Sequence, residues 1–125
     1  MIKGLGHDLV EIGRIAAAIA KNERFIKRIL TEAEWAQCQG KGSPAASAAV
    51  RFAAKEACSK ALGTGIGPIS WLDMEIISQA SGQPELILSG KAQMLAAQMG
   101  VSTVQVSLSH TKYYASAVVI LEGQT

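Results

Sequence analysis

The chain has 125 residues, of which 49% are hydrophobic and only 5% aromatic, and its formal net charge is +2. This composition excludes intrinsic disorder, and the length predicts one domain spanning residues 1–125 with a core of its own. The small net charge does not indicate nucleic-acid binding. The two cysteines lack metal-ligand spacing, and no segment resembles a signal peptide or a membrane span, so we expect a soluble, cytoplasmic protein.

The first half of the chain predicts one strand followed by helices. Residues 2–10 alternate as a strand does, and residues 11–39 have apolar residues at helical spacing. Thr31 and Glu34 form a capping-box pair that starts a further short helix within this stretch. Ser43 and Pro44 then begin a long helix over residues 44–62, which ends at the glycines of residues 63–67.

The second half predicts two pairs of strands separated by a helix. Residues 72–76 and 85–88 are strands around a turn at 82–84, and residues 92–99 form an amphipathic helix. Residues 104–110 and 115–121 form an antiparallel hairpin. Because helices and hairpins are segregated along the chain, we expect an α+β fold with antiparallel strands packed on a long central helix, rather than a doubly wound sheet.

The first predicted strand has two glycines beside an acid. Gly4 and Gly6 share one face with Asp8 and leave the backbone bare, which admits a close neighbour or a ligand. Asp8 is either a cap for the helix that follows or a metal ligand. His7 lies on the other face, between two leucines, and is interpreted as structural.

The long helix has the best candidate residues for chemistry. On a helical wheel, one narrow face has only alanines, and the opposite half has charged and polar side chains. These are Arg51, Lys55, Glu56, Ser59 and Lys60. Glu56 and Lys60 lie one turn apart near the boundary with the apolar face. A carboxylate and an ammonium there would suit magnesium and phosphate, whereas the ordinary alternative is an i,i+4 salt bridge on a solvated helix.

Three other segments are candidates for binding. Gly63, Thr64 and Gly65 either let backbone N–H groups approach a phosphate or simply stop the helix. His110 and Thr111 bring hydrogen-bond donors together at the end of a strand, where they could hold a phosphate. A lone histidine at such a place is more often an ordinary surface residue. An early basic stretch favours an acidic partner, and it contains Arg14, Lys21, Arg24, Lys27 and Arg28.

Three sequence blocks together resemble the holo-acyl-carrier-protein synthases. The blocks are Gly4-Leu5-Gly6-His7-Asp8-Leu9-Val10-Glu11-Ile12 with Arg14-Ile15, then Arg51-Phe52-Ala53-Ala54-Lys55-Glu56-Ala57 with Ser59-Lys60-Ala61 and Gly63-Thr64-Gly65, and Val106-Ser107-Leu108-Ser109-His110-Thr111. The resemblance runs from Met1 to about Leu121. The central block is specific to this family, and the order and spacing of the three blocks make the resemblance more specific still.

The resemblance implies a fold of the 4′-phosphopantetheinyl transferase type and an activity. That family transfers 4′-phosphopantetheine from coenzyme A to a serine of apo acyl carrier protein in support of fatty acid biosynthesis, and it releases adenosine 3′,5′-bisphosphate. Its members form homotrimers with active sites between subunits. The resemblance therefore implies Mg²⁺ as cofactor, coenzyme A as co-substrate and apo acyl carrier protein as partner.

The resemblance also implies roles for particular residues. Asp8 and Glu56 match the metal ligands, and with Lys60 they make up the catalytic set. The residues implied to contact coenzyme A, the last two from the same or a neighbouring subunit, are Arg51, Ser59, Lys60, Gly63, Thr64, Gly65, His110 and Thr111. The surface implied to dock the acidic carrier consists of Arg14, Arg24, Phe25 and Arg28.

One departure from the family pattern and two other functions have to be considered. His7 stands where the family would have a small or hydroxyl residue, but it points away from the face of Asp8. The chain could instead modify peptidyl or polyketide carrier domains, although enzymes of that kind are usually about twice this length. It could also be a trimeric binding module without catalysis, against which the intact Asp8, Glu56 and Lys60 argue.

Overall fold

The computed structural model describes residues 1–124 and has an α+β architecture, as predicted. The elements in chain order are β1 (Ile2–Glu11), α1 (Ile12–Lys21), α2 (Arg24–Ile29), α3 (Glu32–Gln39), α4 (Pro44–Ala61), β2 (Met74–Ser78), β3 (Pro84–Leu88), α5 (Gly90–Gln98), β4 (Val101–His110) and β5 (Tyr114–Gly123). They form a three-stranded antiparallel sheet in the order β1-β5-β4 and a separate antiparallel pair β2-β3. Within residues 1–124, no helix combines the length and apolarity that crossing a membrane requires.

Helix α4 is the centre of the molecule. It begins as predicted, because the Ser43 hydroxyl accepts a hydrogen bond from the Ala46 N–H at 3.2 Å and Pro44 occupies the first helical position. One side of the helix packs on β1 and β5, and the rest contacts α1, α3 and β2. Small side chains make these contacts possible, and the buried alanines are Ala46, Ala48, Ala49, Ala53, Ala54, Ala57 and Ala61.

Strand β1 lies directly on α4, backbone against backbone. A Cβ atom on Gly6 would lie 1.8 Å from the carbonyl oxygen of Ala57, and one on Gly4 would lie 2.2 Å from that of Ala61. Only glycine permits these contacts, so the predicted close neighbour of the bare strand is the central helix. Asp8 is the next residue on the same face, opposite Ala117 of β5.

Two predicted elements are shorter or more divided than expected. The helical stretch of residues 11–39 contains three helices, and the first break lies where the Asn22 side chain accepts a hydrogen bond from the Arg24 N–H at 2.9 Å. The predicted strand 72–76 begins only at Met74. The three residues before it form a short 3-10 helix, Trp71–Asp73, closed by a capping box between Ser70 and Asp73.

Candidate functional site

The structure brings Asp8, Glu56 and Lys60 together where β1 crosses α4. Lys60 Nζ lies 3.0 Å from Asp8 Oδ1 and donates a second hydrogen bond to the His7 carbonyl at 3.2 Å. The Lys60 side chain is 53% exposed and the Asp8 side chain 20% exposed, so the pair stands at the surface of the molecule. The glycine contacts of the strand bring these side chains within reach of one another.

Both ordinary interpretations of these residues are wrong. Among residues 1–124, the ion pair of Lys60 joins the helix to the strand and does not join Lys60 to Glu56 one turn earlier. Asp8 lies inside β1, and the helix that follows is preceded by Glu11, which makes no side-chain cap. Asp8 is therefore neither a helix cap nor a solvated surface acid, but part of a cluster with Glu56 and Lys60.

Glu56 is the carboxylate whose ionisation the cluster perturbs. Burial raises its pKa above the ordinary value of 4.5, the negative charge of Asp8 raises it further, and the ammonium of Lys60 acts in the opposite direction. Asp8 and Glu56 thus repel each other, and the Lys60 ammonium is the counter-ion that both carboxylates share.

The donor set of the cluster suits a hard cation. In the described part of the chain, no group of three or more His, Cys, Asp or Glu residues is arranged to hold a metal ion. A cation bound beside Lys60 would have the carboxylates of Asp8 and Glu56 as its acidic protein ligands. This number is typical of magnesium, which usually binds one or two carboxylates and completes its shell with water and substrate phosphates. The residues present fit magnesium.

The turn after α4 is a helix stop whose N–H groups are already bonded. Gly63 and Gly65 have φ angles of 81° and 66°, in the left-handed region that favours glycine. The N–H groups of Thr64 and Gly65 both donate to the Ser59 carbonyl, and that of Gly63 donates to the Lys60 carbonyl. These N–H groups are therefore bonded within the turn in this structure, and the contact of Gly63, Thr64 and Gly65 with coenzyme A stays a prediction.

Ser59 is buried and hydrogen-bonded within its own helix. Its side chain has no exposed surface, and its hydroxyl donates to the Glu56 carbonyl at 2.7 Å. Its own carbonyl accepts the two hydrogen bonds of the glycine turn. The contact between Ser59 and coenzyme A stays a prediction.

A second cluster of predicted residues lines a cleft at the other end of α4. The cleft has a volume of about 380 Å³ between the start of α4 and the end of β4, and Arg51 and His110 both line it. Measured along the helix, Arg51 is about 14 Å from Lys60, at 1.5 Å per residue. The cleft also has Lys41 and Ser43 in its wall, and Ser43 is identified from the sequence only as the start of the helix.

Two residues of this region have their polar atoms engaged by the protein. The Arg51 guanidinium donates to the Ile76 carbonyl, to Ser47 Oγ at 2.6 Å and to Gln37 Oε1 at 2.7 Å, and only 2% of the residue is exposed. Arg51 therefore supplies positive charge to the cleft wall, and its direct contact with coenzyme A stays a prediction. Thr111 closes the turn between β4 and β5 by bonding twice to Tyr114.

The predicted docking surface lies beside the Asp8–Glu56–Lys60 cluster. The arginines at positions 14, 24 and 28 are exposed on α1 and α2. Phe25 is half-buried and stacks on Phe52 of α4, with ring centroids 6.3 Å apart. Phe52 is one helical turn before Glu56, so the basic helix α2 adjoins the ridge that has the carboxylate.

The outer face of the three-stranded sheet, which has His7, is open to solvent in the single chain. Leu5 is 62% exposed and Leu9 is 58% exposed on either side of it. His7 Nε2 lies 3.0 Å from Ser116 Oγ on the neighbouring strand. His7 is thus a surface residue on the face opposite Asp8.

Comparisons with known proteins give one consistent result. Residues 4–119 match the model of the 4′-phosphopantetheinyl transferase superfamily. The chain is 46% identical over 118 residues to a holo-[acyl-carrier-protein] synthase of Moorella thermoacetica, covering 94% of this chain and 92% of that protein.

Solved structures give the same result. The crystal structure of a holo-[acyl-carrier-protein] synthase from Neisseria meningitidis superposes with a TM-score of 0.87 at 38% identity, covering 98% of this chain and 99% of the other. A synthase from Bacillus anthracis, in complex with CoA (3′,5′-ADP), superposes with a TM-score of 0.82 at 42% identity, covering 99% of each chain.

Proposed function

The chain belongs to the 4′-phosphopantetheinyl transferase superfamily, and from that premise we propose that it is a holo-acyl-carrier-protein synthase. It transfers 4′-phosphopantetheine from coenzyme A to a serine of apo acyl carrier protein, in support of fatty acid biosynthesis. The observation that carries the proposal is the cluster of Asp8, Glu56 and Lys60, formed by the first strand and the central helix. Residues 1–125 act as one catalytic domain, which a core shared between α4 and both sheets supports.

Magnesium is the proposed cofactor, and Asp8 and Glu56 are its proposed ligands. The mutual repulsion of these two carboxylates supports the assignment, because a divalent cation would relieve it. When bound, the cation supplies charge stabilisation for phosphoryl transfer.

In the reaction, the carrier serine hydroxyl gives its proton to Glu56, a bound water or a substrate group, and its oxygen forms a bond to the β-phosphorus of coenzyme A. The bond from that phosphorus to the bridging oxygen breaks, and adenosine 3′,5′-bisphosphate leaves with the electron pair. Lys60 is half-exposed and close to Asp8, so its ammonium can offset negative charge on the leaving phosphate. The chain contributes mainly position and electrostatics, which is typical of phosphoryl transfer.

The cleft lined by Arg51, Lys41 and His110 is the proposed site for the anionic nucleotide part of coenzyme A. Its lining contains positive charge and the hydroxyl of Ser43, and its volume of about 380 Å³ is within the range of small-molecule sites. Because it is separated from Lys60 along α4, we propose that each active site combines the Lys60 cluster of one copy with the His110 end of another.

We propose that the copies which share these sites form a homotrimer. The outer sheet face has the exposed Leu5 and Leu9, and the register places Leu5 beside Ile120 and Leu9 beside Ser116 of β5. An open apolar face of this kind is typical of an interface. Sedimentation should give a mass of three chains, and Leu9→Lys should give a smaller mass together with a loss of transfer.

The carrier docks on the arginines of α1 and α2 in this proposal. Arg14, Arg24 and Arg28 are exposed, and Phe25 offers a half-buried apolar contact between the last two. The location is proposed to be the cytoplasm. The unpaired thiols of Cys38 and Cys58 support this location, since free cysteines are typical of reducing compartments.

One assay tests the proposed function against its alternatives. The protein is mixed with coenzyme A, magnesium and apo carrier proteins, and each carrier is weighed by mass spectrometry. The fatty-acid carrier should gain one phosphopantetheine. A gain on peptidyl or polyketide carriers alone would replace this proposal with the broader transferase, and no gain on any carrier would leave a binding module.

A further inference from the structure

Lys55 is a lysine without exposed surface, and the proposed chemistry does not use it. Its Nζ atom donates three hydrogen bonds: to Glu34 Oε1 at 2.7 Å, to the Ile29 carbonyl at 2.5 Å and to the Trp71 carbonyl at 3.1 Å. An ammonium has three donors, so all of them are used. Glu34 is equally buried, and its other oxygen accepts a hydrogen bond from the Ile76 N–H at 3.0 Å. An ion pair without exposed surface is rare in proteins unless the donors and acceptors of both groups all have hydrogen-bond partners.

The three acceptors belong to three different segments. Glu34 is in α3, Trp71 begins the short 3-10 helix, and Ile29 is the last residue of α2. The final carbonyls of a helix lack partners within the helix and form the negative end of its dipole, so an ammonium there is stabilising. Lys55 therefore holds the end of α2 from its position in α4.

Helix α2 depends on such anchors because it is short. It has six residues, fewer than a helix needs to be stable on its own in water. Its second anchor is aromatic: Phe25 stacks on Phe52, which in turn stacks on Trp71 with ring centroids 4.9 Å apart. The ring of Phe25 and the carbonyl of Ile29 fasten α2 to α4 at points one turn apart.

We propose that Lys55 is a positioning residue that fixes the carrier-docking helix α2 at a set distance from Glu56 and Lys60. The inference rests on the proposed function, which assigns α2 to the carrier. Without this tether α2 keeps its arginines but loses its fixed place, so the carrier serine is presented less often in the reacting geometry. Coenzyme A is unaffected, since its proposed contacts lie on α4, the turn after it and the end of β4.

A neutral double variant tests the proposal without leaving a buried charge alone. Replacing Lys55 by Met would by itself leave the Glu34 carboxylate unpaired, so the variant is Glu34→Gln/Lys55→Met. The glutamine still offers an oxygen to the Ile76 N–H. The KM for apo carrier should rise about tenfold while the KM for coenzyme A stays within about twofold. Amides of Arg24–Ile29 should exchange hydrogen faster, and those of α5 should not change.

The matched control is Glu34→Gln alone. The Lys55 side chain is unchanged in this variant. Its hydrogen bonds to Ile29 and Trp71 persist, and the KM for carrier should remain near the wild-type value.

Two results would overturn the proposal. One is an equal loss for both substrates in the double variant, and the other is unchanged exchange in α2. The wild-type protein in the same assay separates this proposal from the proposed function. If the wild type modifies no carrier, the function fails, while the exchange of α2 amides still decides whether Lys55 is its tether.

Discussion

Replacing Gly6 by alanine should separate the two halves of the Asp8–Glu56–Lys60 cluster. The new Cβ would lie 1.8 Å from the Ala57 carbonyl oxygen and 2.7 Å from its carbonyl carbon. Both obstructing atoms are backbone, so no side-chain rotation relieves the clash. Strand β1 must move away from α4 by about 1.6 Å before the contact reaches 3.4 Å.

The size of this displacement sets the expected losses. A forced separation of packed elements costs about 3 kcal/mol, at the upper end of the range for overpacking. In a chain of this size that corresponds to a fall in Tm of roughly 10 °C. A misplacement of about 1 Å at a reacting site can lower the rate about 100-fold, so transfer should fall at least that far.

Glycines elsewhere in the chain provide a graded series of controls. Gly4→Ala should be milder, because its Cβ would lie 2.2 Å from the Ala61 carbonyl oxygen. Gly13 lies in the exposed first turn of α1, where a new Cβ would have no atom within 4 Å. Gly13→Ala should therefore stabilise the fold by about 0.5–1 kcal/mol and leave transfer unchanged. Thermal unfolding and the carrier mass assay would rank the variants. If Gly6→Ala matched Gly13→Ala in both, the strand-on-helix argument would be refuted.

Two further predictions concern charge. Glu56→Gln should abolish transfer, yet it should raise the Tm at neutral pH when no divalent cation is present. The pKa of Glu56 is raised in the folded protein, so the ionised carboxylate destabilises the fold above that pKa. This destabilisation disappears as the pH falls to 4.5 and below. A wild-type Tm advantage at pH 7 would contradict this sign. Arg14→Glu should raise the KM for carrier about tenfold at low salt and leave that for coenzyme A unchanged, whereas Lys91→Glu on α5 should change neither.

Most elements were predictable because their signals are local. The capping box of Thr31 and Glu34 and the Ser43–Pro44 start of α4 depend on residues within one turn of each other, and both are confirmed. The antiparallel β4–β5 hairpin is also confirmed, since its alternation and short turn lie within one continuous segment.

The errors arose where distant residues decide the outcome. A helical wheel puts Lys55 and Ser59 on a polar half, yet both are fully buried. The partner of Lys55 is Glu34, 21 residues earlier, and no pattern within α4 reveals it. The pairing of Lys60 with Asp8, 52 residues apart, could not be distinguished from a pairing with Glu56 for the same reason.

The pairing of β1 with β5 has a consequence for how the protein is made. Asp8 lies in the first strand, and the hydrogen-bonding partner of that strand is the last one, with the Met1 amino group donating to the Gly123 carbonyl at 2.8 Å. Contacts this distant in sequence are slow to form, because a long loop must close before they stabilise anything. A chain emerging from the ribosome therefore has α4 well before β1 can pair with β5. Strand β1 can contact α4 through Gly4 and Gly6 before then, but the sheet that holds Asp8 in register is complete only after β5 has been synthesised.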